Sequence, residues 1–100
     1  MASETIIEAD IERLVGTYSL WIIGTTNNPE QREVEIGAPM GWCQFDADSE
    51  LAARKIEAYC FARGMHEDTV GRVPGAKYVY IFMGLQARLE GRSSVRQGIR

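Results

Sequence analysis

Residues 17–37, TYSLWIIGTTNNPEQREVEIG, decide the fold. The first seven are β-branched and aromatic, which favours a pleated strand over 17–23, ended at Gly24 by the turn-prone Thr25, Thr26, Asn27 and Asn28. Asn28 then stands at an N-cap, Pro29 suits the first helical position because its missing N–H would go unused there, and Gln31 supplies the reciprocal cap. A short helix over 29 to about 36 follows, closed by Gly37 and Pro39.

Upstream, residues 4–15 repeat apolar side chains at Ile6, Ile7, Ile11, Leu14 and Val15, a helical stripe with Thr5 and Glu8 at capping-box spacing and Gly16 as a stop. Downstream, residues 41–46 read as a short strand through Trp42 and Phe45. Asp46, Asp48 and Ser49 then offer caps for a helix over 50–63, with Leu51, Ala52, Ile56, Tyr59, Cys60 and Arg63 on one side and Gly64 ending it in a left-handed conformation. Residues 64–76, rich in glycine and charge, read as a loop. Residues 77–83 are apolar on both faces and so predict a central strand. The order α, β, α, β, α, β predicts one α/β (α+β) domain over residues 1–100, with an N-terminal helix at 1–16, a core at 17–83 and a basic tail at 84–100.

The chain has 100 residues, 45% of them hydrophobic and 25% charged, which excludes a disordered chain on composition. No apolar run reaches the roughly 18 residues of a membrane span, and Glu4, Glu8 and Asp10 do not resemble a signal peptide, so a cytoplasmic location is expected. Cys43 and Cys60, with one histidine in the chain, suggest neither a disulfide framework nor a zinc site, and read as free thiols. Residues 1–50 carry ten acids against Arg13 and Arg32, a net of −8, whereas residues 51–100 carry nine bases against four acids, a net of +5. A basic face toward an acidic partner is compatible with that asymmetry.

From Ile22, Ile23 and Gly24 through Thr26, Asn27, Asn28 and Pro29 to Arg32, the chain resembles the second strand and first helix of the GIY-YIG nuclease superfamily. In that family a strand ending Tyr-Ile-Gly leads through a Thr-Asn-Asp-Pro type of turn to an arginine facing the active site. The run from Ser49 to Glu57 resembles the helix carrying the family's glutamate, and Glu57 is the matching position. The family's first strand does not precede these elements; residues 78–82, Tyr-Val-Tyr-Ile-Phe in sequence, resemble it from the other end of the chain. The resemblance therefore implies a circularly permuted order, in which a three-stranded antiparallel sheet forms from residues 17–23, 41–46 and 77–83, with the C-terminal strand beside the first. Two positions depart from the pattern: Ile22 replaces the second-strand tyrosine, and Ile36 replaces the histidine that often follows the arginine by four residues.

The resemblance implies metal-dependent phosphodiester hydrolysis. Tyr80 would act as base or water-positioner, Arg32 as phosphate clamp and Glu57 as ligand of Mg²⁺ or Mn²⁺. Arg88 and Arg92, four apart with Arg96 and Arg100 in the tail, are candidate phosphate contacts, although Gly91, Ser93, Ser94 and Gly98 weaken any helix there and fit a frayed terminus equally. The same residues have plainer readings: Arg32 as a helix charge near Glu35, Glu57 as an exposed charge near Arg54, and Tyr80 as a core aromatic with a bonded hydroxyl. His66, beside Glu67 and Asp68, reads either as a metal ligand or as a solvated loop residue. Trp21 and Trp42 read as base-stacking groups or as core and rim aromatics. The rival to a nuclease is a non-catalytic module binding protein or nucleic acid, or a homo-oligomer associating through the N-terminal helix.

Overall fold

The structure, a computed structural model, describes residues 4–68 and 73–84. The elements are α1 (Glu4–Leu14), a 3₁₀ turn (Tyr18–Leu20), β1 (Trp21–Thr26), α2 (Pro29–Ile36), β2 (Cys43–Asp46), α3 (Glu50–Ala62), β3 (His66–Glu67) and β4 (Tyr78–Met83), an α+β arrangement of three α-helices around one sheet. Among the described residues no helix is long and apolar enough to cross a membrane. The candidate contacts Arg88 and Arg92 lie outside the described residues.

The sheet has four strands in the order β2-β4-β1-β3 and is mixed. β4 is central, as its two apolar faces predicted, and runs antiparallel to β1 in a register that pairs Gly24 with Tyr80 and Ile22 with Phe82. β2 pairs antiparallel with the other side of β4, Gln44 facing Tyr80. The expectation of three antiparallel strands is thus corrected by a fourth: β3 pairs parallel with β1, Ile22 with His66 and Ile23 with Glu67, inside the stretch read as a loop. β1 also starts later and runs further than expected. Residues 18–20 form a 3₁₀ turn, and the strand passes through Gly24 to Thr26, because Thr25 and Thr26 are β-branched and buried against β4.

Neighbouring residues of a strand point to opposite faces. One face carries Trp21, Ile23, Val79 and Ile81, and it forms the core with Ile7, Ile11 and Val15 of the α1 region and Ala53, Ile56 and Cys60 of α3. The inner stripe of α1 is therefore consumed within the chain, whereas Ile6 and Leu14 are exposed. On α3 the buried stripe is Ala53, Ile56, Glu57 and Cys60; Leu51, expected on that side, is 64% exposed. The caps follow the sequence closely: Asn28 Oδ1 accepts from the Gln31 N–H (3.2 Å), Ser49 Oγ accepts from the Ala52 N–H (3.1 Å), and Gly37 takes the left-handed φ of 99° that closes α2.

Candidate functional site

The second face of the sheet carries Ile22 and Gly24 of β1, Gln44 of β2, and Tyr80 and Phe82 of β4. Gly24 has no side chain, and the Tyr80 ring occupies that space: a Cβ on residue 24 would lie under 3.0 Å from the phenol oxygen. The ring is thereby laid across β1 with its hydroxyl toward α2 and the end of β3. There it donates to Asp68 Oδ2 and accepts from Arg32 Nε at 3.2 Å. Arg32 Nη2 also donates to Asp68 Oδ2 at 2.8 Å, and Nη1 donates to Glu35 Oε1 at 3.1 Å. Arg32 and Tyr80 thus meet, as the resemblance implied, and Asp68 joins them from 36 residues further along the chain than Arg32.

The arginine side chain is 14% exposed and that of Asp68 8%. Burial disfavours the Arg32 charge, but hydrogen bonds to Tyr80, Asp68 and Glu35 outweigh it and hold the pKa above its ordinary value. Burial and the Asp68 carboxylate push the Tyr80 phenol upward, and Arg32 opposes them only in part. Trp42 closes the site from just before β2: its ring stacks on Tyr80 at 4.8 Å and 14°, and its indole N–H donates to Gln44 Oε1 (2.9 Å), whose amide in turn donates to Glu30 Oε2 on α2 (2.9 Å). Tyr80 is left 1% exposed.

Glu57 does not join this cluster. It is 2% exposed on α3, which packs on the opposite face, so it is neither the solvent-facing helix charge nor a partner of Arg32 and Tyr80. Among the described residues no group of three or more His, Cys, Asp and Glu is placed to hold a metal ion. The expected Glu57 donor is thus across the sheet from Arg32, and Asp68 Oδ2 is engaged by Arg32 and Tyr80. His66 is exposed on β3. Trp21 is buried in the core, and Trp42 lies over Tyr80.

Beside the cluster lies a pocket of about 340 Å³ lined by Ile22, Arg32, Glu35, Ile36, Glu67, Asp68 and Phe82. Asp68 is the member that sequence reasoning did not assign to Arg32, from which it lies 36 residues away. Compared with known proteins, the chain matches no family model, no curated protein and no solved structure.

Proposed function

We propose that this chain is a non-catalytic recognition module built on a permuted GIY-YIG pattern, in which the position of the hydrolytic site has become a binding pocket. The observation that carries this reading is the commitment of the Arg32 guanidinium, whose Nε, Nη1 and Nη2 each donate to a group of the protein itself. A phosphate clamp needs a free donor fork, and here Asp68 already occupies one side of it. Tyr80 is equally committed: its hydroxyl donates its proton to one partner, accepts from another and lies under Trp42, so it is already engaged where a base toward water would have to be free.

Both departures from the family pattern favour the same reading, because Ile22 and Ile36 line the pocket where the resemblance would place a tyrosine and a histidine. The permuted pattern is supported by β4, whose sequence resembles the family's first strand, lying antiparallel beside β1. The nuclease reading draws on one observation, the convergence of Arg32 and Tyr80 on one face. The two separate in a cleavage assay: the full chain with Mg²⁺ or Mn²⁺ and labelled single-stranded, double-stranded or nicked DNA is expected to leave every substrate intact. Cutting that disappears in both R32A and E57A would replace recognition by catalysis.

A further inference from the structure

We infer that the pocket beside Arg32 receives a lysine or arginine side chain of a protein partner, an inference that rests on the recognition reading and names its ligand. Three carboxylates, Glu35, Glu67 and Asp68, line the cavity against one guanidinium, a formal charge of −2. Arg32 is itself paired with Asp68 and Glu35, so the acids are in excess even where the one base is fully used. An anion entering this cavity meets a net negative wall; a cation meets the complementary field.

The remaining walls, Ile22, Ile36 and Phe82, are apolar. Gly84 leaves room for the Ile22 side chain, since a Cβ there would fall 2.7 Å from Ile22 Cγ1. Apolar walls beneath an acidic margin match the two halves of a long basic side chain: the methylene stem lies along Ile22, Ile36 and Phe82 while the charged head reaches Glu67 and Glu35. They also favour a side chain over a free metabolite. The stem's far end is a peptide backbone outside the cavity, whereas a small polar molecule would press its second polar end against isoleucine and phenylalanine. The volume, near the lower end of the range of about 300–1,000 Å³ for ligand pockets, admits a long side chain together with water.

The test uses the 100-residue chain with blocked tripeptides centred on lysine, arginine or norleucine, and inorganic phosphate, titrated while backbone amide resonances are recorded. The lysine and arginine peptides are expected to shift the Ile22, Ile36 and Phe82 amides saturably, and the norleucine peptide and phosphate to leave them in place. E67Q is expected to weaken basic-peptide binding about two- to fivefold, the range of a solvent-exposed charge pair. Saturable shifts from phosphate, or none from either basic peptide, overturn the inference without bearing on whether DNA is cut. Displacement of the same amides in R88Q/R92Q with no peptide added would make the chain's own tail the occupant and remove the partner.

Discussion

Gly24 and Tyr80 are paired across β1 and β4, and the tyrosine hydroxyl stands where any side chain on residue 24 would begin. G24A must therefore displace the ring rather than fill a void. The ring is packed under Trp42 and tied to Asp68 and Arg32, so the displacement is expected to cost about 1–3 kcal/mol from overpacking, read as a lower urea midpoint with an unchanged slope. An unchanged midpoint would show that the ring moves freely.

Asp68 balances Arg32 in a setting where neither is well hydrated. D68N leaves the guanidinium with Glu35 as its remaining carboxylate, and a loss of about 2–3 kcal/mol is expected. A double substitution, R32M/D68L, is expected to be more stable than D68N, because the charge that required balancing has gone. Denaturation of the wild type, R32M, D68L and R32M/D68L gives the coupling directly, and additive effects would mean that the pair contributes nothing of its own.

The Tyr80 phenol is shifted upward, so the folded protein keeps its proton at a pH where the unfolded chain, with an ordinary tyrosine pKa of about 10, gives it up. Stability from this group is therefore fully present below about pH 10 and lost as pH rises above it. Tyr18, raised by burial first and then by Tyr59, acts in the same direction. Y80F is expected to lower stability at neutral pH by about 1–2 kcal/mol and to flatten the alkaline fall. Ultraviolet titration of the folded protein with ordinary ionisation of all four tyrosines near pH 10 would contradict this.

Burial, reinforced by Glu8, pushes the Cys60 thiol up to about 12, and burial alone raises Cys43, which is only partly covered. Thiolate is the reactive form, so at pH 8 an aromatic disulfide reagent is expected to label Cys43 first and Cys60 only as fast as the core opens. Equal rates in the native protein would place Cys60 nearer the surface than its 0% exposure implies.

Where local chemistry determines structure, these elements were legible in the sequence. Asn28 and Pro29 open α2, Ser49 opens α3, Gly64 takes φ of 106° just beyond it, and the apolar run of β4 does lie at the centre of the sheet. β3 was not legible, because His66 and Glu67 have no β propensity or alternation and become a strand only through their pairing with β1. Asp68 was hidden for a related reason: its partners are 36 and 12 residues away, and no local spacing encodes such a meeting. Glu57 was readable in principle. It falls four residues after Ala53 and three before Cys60, on the helical phase of the buried stripe, but its charge suggested solvent.

The path from the Trp42 indole through Gln44 to Glu30 ends on the helix that carries Arg32 and Glu35. Trp42 is thus a natural optical gauge of that helix, while Trp21, sealed in the core on the other side of the sheet, supplies a constant background. Any occupant that shifts α2 by a fraction of an ångström alters the hydrogen bond and stacking of one indole, and the emission of the unlabelled protein is expected to report it in wavelength and intensity.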